Sequence, residues 1–239
     1  MWKPALSVGW GEKTGGTNIV VSDDQGQIAA VMPSEEIWRI NLNNIKVKKV
    51  LSEKVMVKCL LAVDLFSEHG QLCSYILASD SANHLYFFHQ GVVVMVIDTP
   101  SVITAMCCGR FVPANKLDDS AHTNGNSSQD DTQVALGSYS GAIYILHNFS
   151  ITEDEFANAH NPVTNLTTLP CPESDIDCLL GTGHFNSLYV YRDTKMVGQF
   201  TTPDWINSLD MADKDSNGVK EIVVGCLDNS VHAFKVITT

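Results

Sequence analysis

The stretch Val134–Leu146, VALGSYSGAIYIL, is the clearest structural signal in this sequence of 239 residues. Apolar-leaning residues flank a small polar turn, which is the pattern of a β-hairpin. Similar segments recur along the chain and align on the turn without gaps. The five hairpins are Val20–Val31, Leu77–Phe88, Ala135–Leu146, Leu180–Tyr191 and Val223–Phe234. Such self-similarity indicates a repeat architecture.

Three columns of this alignment have a physical explanation. The turn column contains only residues that tolerate positive φ, as a tight hairpin turn requires: Gly26, Asn83, Gly141, Asn186 and Asn229. A column before the turn is always small: Ser22, Ser79, Gly137, Thr182 and Gly225. A column two residues after the turn is always aliphatic: Ile28, Leu85, Ile143, Leu188 and Val231. The last column predicts core packing.

The turn column recurs at intervals of 57, 58, 45 and 43 residues, the length of a four-stranded propeller blade. Apolar runs before each hairpin, and after several, supply the remaining strands. We therefore predict an all-β fold, a β-propeller of about five four-stranded blade-like repeats in a single domain, 1–239. The predicted units are 1–50, 51–98, 99–160, 161–202 and 203–239. The pattern fits either a small ring or part of a larger, seven-bladed one.

Three segments depart from the repeat. The polar segment 112–131 separates the first two strands of the third unit and predicts a mobile surface loop. Such a loop serves as a docking or phosphorylation segment or is a tolerated insertion. The stretch Ile151–His160, ITEDEFANAH, predicts a short helix between blades. The fifth unit leaves no room for a separate fourth strand before Thr239.

Composition restricts the partners and the compartment. The formal net charge of −12 disfavours nucleic acid and anionic membranes, and the only basic cluster, Lys46, Lys48 and Lys49, fits a solvated strand edge. No apolar run is long enough to span a bilayer, and MWKPALSVGW lacks the apolar core of a signal peptide. Seven cysteines without a CxxC pair favour a reducing, cytoplasmic location. Sequons at Asn126, Asn148 and Asn165 would matter only outside the cell.

One loop has the spacing of a cation site. In DKDSNGVKE, oxygen-bearing side chains alternate at Asp213, Asp215 and Asn217, and Glu221 follows. These oxygens, with the backbone carbonyl of Val219, can surround a calcium ion. The same residues also fit a polar turn whose side chains bind their own backbone.

The segment INSLDMADKDSNGVKEIVVGCLDNSVHAFKV resembles an FG-GAP repeat, the blade of integrin-α-type propellers. In that family a DxDxDG-type loop joins the first two strands, and Asp213, Asp215, Asn217 and Glu221 match its calcium ligands. Asn217 replaces the commoner Asp, and the Phe-Gly and Gly-Ala-Pro elements are missing. Among intracellular members, the sequence is similar to the propellers of the BBSome and of the kaptin-containing KICSTOR scaffold. The resemblance implies a non-catalytic subunit of a nutrient-signalling or ciliary-trafficking complex.

No catalytic motif is present: the sequence has no GxSxG, HExxH, P-loop or GxGxxG. The prediction is therefore a protein–protein interaction scaffold in an intracellular complex, with no enzymatic activity, no cofactor except Ca²⁺ at the one loop, no nucleic acid and no membrane insertion. An extracellular calcium-dependent adhesion or ligand-binding module is the alternative. A hydrolase built on a propeller channel is a weaker one.

Overall fold

A computed structural model describes residues 2–10, 17–45, 54–67, 70–113, 116–117, 132–171, 173–213 and 221–235, with backbone only for 2–10, 17 and 18. The chain forms two compact units, Met1–Thr104 and Ala105–Thr239. The predicted loop 112–131 and the basic cluster lie largely or wholly outside the described residues. Of the described helices, none is long and apolar enough to cross a membrane.

The first unit contains two four-stranded sheets, in which each strand pairs antiparallel with the next one along the chain. The first sheet consists of β1 (Trp2–Trp10), β2 (Thr17–Asp23), β3 (Gln27–Met32) and β4 (Glu35–Asn41), followed by a 3-10 turn, Leu42–Asn44. The second consists of β5 (Val57–Phe66), β6 (Leu72–Asp80), β7 (His84–His89) and β8 (Val92–Asp98). This meander is the predicted blade topology.

Three further sheets follow with the same antiparallel order. The third sheet consists of β9 (Ile103–Gly109), β10 (Gln133–Ser138), β11 (Ala142–His147), β12 (Ser150–Ile151) and β13 (Ala157–Asn158). The fourth consists of β14 (Val163–Leu169), β15 (Cys178–Gly183), β16 (Phe185–Arg192) and β17 (Lys195–Thr201). The fifth contains, within the described range, β18 (Ile206–Ala212), β19 (Glu221–Cys226) and β20 (Val231–Phe234).

The predicted helix at Ile151–His160 is wrong. This segment supplies the outer strand of the third sheet in two short pieces, β12 and β13, which both pair with β11. Between them, the Phe156 amide donates to the carbonyl of Ile143 at 2.8 Å, and the Phe156 ring is buried. The hydrogen-bonding edge of β11 and the burial of Phe156 together outweigh a weak local preference for helix.

The turn column is confirmed at four of its five positions. Gly26, Asn83, Gly141 and Asn229 have φ of 78°, 65°, 95° and 67°. Asn186 is the exception, because it lies inside β16 and the chain turns earlier, between Gly183 and Phe185. At Gly183 a Cβ atom would collide with the Pro162 carbonyl oxygen, so only glycine permits this early turn.

The aliphatic column is confirmed as core in the first four sheets. Ile28, Leu85, Ile143 and Leu188 have no exposed area. Val231 differs, with 72% of its surface exposed, because β20 is the outermost described strand of a three-stranded sheet. The neighbouring cysteines Cys107 and Cys108 are buried and exposed respectively, as expected for successive strand residues on opposite faces.

Candidate interaction surface

One end of each sheet carries the turn between its second and third strands, and we call it the turn end. There the turn-column carbonyl accepts a hydrogen bond from the amide of a residue beyond the outer strand. The four bonds are Leu42 to Gly26 (2.9 Å), Thr99 to Asn83 (2.7 Å), Ala159 to Gly141 (2.9 Å) and Thr202 to Asn186 (2.9 Å). Asn186 therefore keeps the role of its column, although its backbone does not adopt the left-handed turn conformation.

A second repeated bond joins the turn to the residue that precedes the first strand. The donors stand two positions before the turn column: Ser81 donates to Met56, His184 to Pro162 and Leu227 to Trp205, each at 2.9 Å. Two backbone bonds thus fix the turn against the chain that enters and leaves the sheet. The side chain at the donor position is not needed for either bond and is open to variation.

The alignment column two positions before the turn column, here called the donor column, changes from small to large side chains along the chain. It contains Asp24 and Ser81 in the first unit, and Tyr139, His184 and Leu227 in the second. In the second unit all three side chains are exposed, Tyr139 by 60% and Leu227 by 52%. Large exposed side chains at a position with no packing requirement indicate a contact surface.

Trp205 joins two of these residues into a cluster, the aromatic patch, defined as His184, Trp205 and Leu227. The rings of Trp205 and His184 are stacked, with centroids 5.0 Å apart and planes 13° apart. The Trp205 carbonyl accepts the Leu227 amide, and 44% of the tryptophan remains exposed. The patch is thus held by the backbone bonds of the fourth and fifth sheets.

The connection 160–162 links the aromatic patch to the turn that carries Tyr139. Gly141 of that turn lies so close to Asn161 that a Cβ atom would be 2.7 Å from the Asn161 nitrogen. At the other end of the connection, the Pro162 carbonyl accepts the His184 amide. Three successive turn ends of the second unit are therefore connected by direct contacts.

Two carboxylates are chain neighbours of patch residues: Asp204 precedes Trp205, and Asp228 follows Leu227. Asp204 accepts the amide of Trp205 at 2.7 Å, and Asp228 accepts the amide and the hydroxyl of Ser230 at 2.9 and 2.6 Å. The hydrogen bonds from Ser230, the side-chain one above all, lower the pKa of Asp228. The patch therefore combines an apolar, aromatic surface with fixed negative charge.

The predicted cation loop lies where the sequence placed it, between the first two strands of the fifth sheet. Asp213 is exposed just after β18, and Glu221 is buried at the start of β19. Ala212 pairs with Glu221, which brings the two ends of the loop together. Glu221 Oε1 lies 3.9 Å from Lys235 Nζ. Asp215, Asn217 and Val219 lie outside the described residues, and calcium binding stays a prediction.

The first unit contains a buried polar network around Asp80. Its carboxylate accepts the amides of Ala82 (2.8 Å) and His84 (2.9 Å), contacts His84 Nδ1 (2.9 Å) and accepts the Tyr86 hydroxyl (2.9 Å). Burial and the Asp80 charge raise the pKa of Tyr86. Asp80, His84 and Tyr86 are all buried. Because these groups are closed to solvent and satisfy one another, the network stabilises the turn.

Two solved propeller structures resemble the chain closely in backbone geometry. BBS1N in complex with ARL6DN matches with a TM-score of 0.71 and 12% identity in the lead-soaked crystal, covering 98% of this chain and 66% of that one. The WD40 β-propeller domain of Doa1 matches with a TM-score of 0.62 and 13% identity, covering 92% and 61%. The chain has a β-propeller fold. It spans about two thirds or less of the length of these structures.

Identities this low establish the fold alone. No family model and no curated protein matches the sequence. The FG-GAP assignment therefore stays a prediction that rests on the residues of the fifth unit. The single domain, the predicted unit boundaries and the choice between a small ring and part of a larger one stay predictions as well.

The aromatic patch was not predicted from the sequence. The usable signal was the donor column, which changes from Asp24 and Ser81 to large side chains in the second unit. That contrast is visible in the alignment, but its meaning depends on knowing that the position is exposed.

Proposed function

We propose that this chain is a non-catalytic protein–protein interaction scaffold, a subunit or adaptor of a cytoplasmic multiprotein complex. The observation that carries the proposal is the aromatic patch, a rigid exposed group of large side chains on repeated backbone hydrogen bonds. Exposed tryptophan in such a setting is typical of interaction hot spots. The fold supports the proposal, because BBS1N, with the same fold, was crystallised in complex with ARL6DN.

Two thiols, Cys59 and Cys107, are poorly suited to nucleophilic catalysis. Burial raises the pKa of Cys59 and of Cys107 to about 12. A pKa this high keeps a thiol mostly protonated near neutral pH, which weighs against either cysteine as a catalytic nucleophile.

The kind of complex is proposed from the resemblance to FG-GAP propellers. That resemblance favours a nutrient-signalling or ciliary-trafficking assembly of protein subunits. The net charge of −12 and the lack of a long apolar run favour a partner other than nucleic acid and no membrane insertion. We propose that the loop at Asp213–Glu221 takes Ca²⁺ as a structural ion within this scaffold.

The proposal is tested by purifying the tagged protein from its native cells under gentle lysis and identifying its partners by mass spectrometry. We expect Trp205→Ala with Leu227→Ala to lose at least one partner that the parent retains. The matched control is Met196→Ala with Val197→Ala, which removes two equally exposed apolar side chains from β17. Recovery of the monomer alone, or of the same partners with the patch variant, would contradict a scaffold that acts through this surface.

A further inference from the structure

We propose that the aromatic patch binds an arginine-bearing segment of a protein partner, with the guanidinium against Trp205 and paired to Asp204 and Asp228. This inference rests on the proposed interaction function and specifies the chemistry of its partner. It is carried by the combination of an exposed aromatic ring, an apolar neighbour and two carboxylates at one turn end.

Trp205 supplies the aromatic ring of the proposed site. The residue is 44% exposed although its ring stacks on that of His184, so part of it stays in contact with solvent. Among aromatic side chains, tryptophan attracts cations to its ring face most strongly. Arginine is the preferred cation, because its planar and weakly hydrated guanidinium can stack on a ring while its N–H groups donate elsewhere.

The second unit is strongly acidic. The second unit contains seventeen aspartates and glutamates against seven lysines and arginines, and so carries ten of the twelve net negative charges. The turn and connection residues around the patch (139–141, 159–162, 184, 202–205 and 227–230) include Asp204 and Asp228 but no lysine or arginine. An incoming cation therefore meets two carboxylates and no competing lysine or arginine in these segments.

Hydrogen bonds hold the backbone around the aromatic patch. Asp204 accepts the amide of Trp205, and Asp228 is held by Ser230. Leu227 donates its amide to the Trp205 carbonyl. Because the backbone around these side chains is fixed before binding, a partner loses less affinity to the ordering of the site. Leu227, 52% exposed, offers an apolar contact for a residue next to the arginine.

The inference is tested with a short, fluorescently labelled peptide of alternating leucine and arginine, titrated with the 239-residue chain by fluorescence anisotropy. A matched peptide of leucine and glutamate is the control ligand. The protein variants are Trp205→Ala, Trp205→Phe and the pair Asp204→Asn with Asp228→Asn. Asparagine keeps an acceptor oxygen, so the local turns persist. The matched control pair is Asp175→Asn with Asp210→Asn, which removes two exposed charges elsewhere in the same unit.

We expect the arginine peptide to bind the parent and the control pair equally, and the glutamate peptide to bind neither. Trp205→Ala should weaken binding about tenfold, and Trp205→Phe should weaken it less. The Asp204/Asp228 pair should weaken binding about fivefold at low salt, and added salt should reduce this difference. Equal binding of the arginine peptide to all variants would show attraction by overall charge and would overturn the inference.

A competition experiment separates this inference from the proposed function. If Trp205→Ala with Leu227→Ala loses native partners, and excess arginine peptide displaces the same partners from the parent, the arginine inference and the scaffold function are both supported. If the variant loses partners that the peptide does not displace, the arginine inference is overturned and the scaffold function stands. If the variant retains every partner, the scaffold function through this surface is overturned as well.

Discussion

Asp80 is the most heavily hydrogen-bonded buried carboxylate in the described part of the first unit, and its removal should be costly. Asp80→Ala leaves two amides, the His84 ring and the Tyr86 hydroxyl without their acceptor, and we expect a loss of about 3 kcal/mol in the free energy of unfolding. Urea unfolding followed by circular dichroism measures it.

Asp23→Ala is the matched control, because Asp23 occupies the same alignment column in the first sheet. Within the described residues, its carboxylate accepts the Gln25 and Gln27 amides and the Gln27 side chain, and Asp23 is 8% exposed whereas Asp80 has no exposed area. We expect a loss of about 1 kcal/mol. Equal losses for the two variants would show that the Asp80 network adds nothing beyond an ordinary turn.

The hydroxyl of Ser230 should control how the stability of the turn at Asp228 depends on pH. Its pKa is lowered mainly by the side chain of Ser230, so Ser230→Ala should move the pKa back toward the ordinary aspartate value. Because the folded-state pKa lies below the unfolded one, the turn gains stability above the unfolded pKa and loses it as the pH falls through the folded value. An NMR titration of the Asp228 carboxyl carbon tests this. An unchanged pKa in Ser230→Ala would contradict the assigned cause.

At the scale of elements, the strands were predictable because their signals are local. Gly26, Asn83 and Gly141 adopt the positive φ that a tight turn requires, and alternating apolar residues indicate the buried face of each strand. The two wrong predictions concern segments whose backbone conformation depends on contacts with residues distant in sequence. The early turn at Gly183 depends on Pro162, and the extended form of Ile151–His160 depends on the open edge of β11.

The aromatic patch was missed for a different reason. Its side chains satisfy no requirement of the backbone or the core, so neither periodicity nor turn chemistry points to Trp205 or Leu227. Only the structure shows that His184, Trp205 and Leu227 meet at one turn end.

The loop between β18 and β19 carries the calcium prediction. Three carboxylates within nine residues repel one another, and a divalent ion removes that repulsion. Calcium at about a hundred times the dissociation constant should stabilise the fold by roughly 2.7 kcal/mol. Thermal unfolding with and without calcium measures this in the parent and in Asp213→Ala with Asp215→Ala.

The control for the calcium experiment is Asp175→Ala with Asp193→Ala, which removes two carboxylates of the same unit outside the loop and should keep the calcium response. A rise in midpoint that persists in Asp213→Ala with Asp215→Ala would place the ion elsewhere. No rise in the parent at millimolar calcium would leave the loop as a polar turn.

At the scale of the whole molecule, charge and surface chemistry are unevenly distributed. The second unit holds most of the net negative charge and the aromatic patch, and the first holds the basic cluster at Lys46, Lys48 and Lys49. The β-propeller fold supplies repeated turn ends whose backbone is fixed and whose exposed side chains vary. We infer that partner recognition is concentrated in the second unit.

Amide hydrogen exchange tests this claim most directly, by comparing the isolated chain with the same chain in its native assembly. We expect slower exchange on assembly in the peptides that contain 202–206 and 226–230, and we expect Trp205→Ala to abolish the change. Protection confined to other segments, or equal exchange rates in the two states, would contradict a scaffold that binds its partner through the aromatic patch.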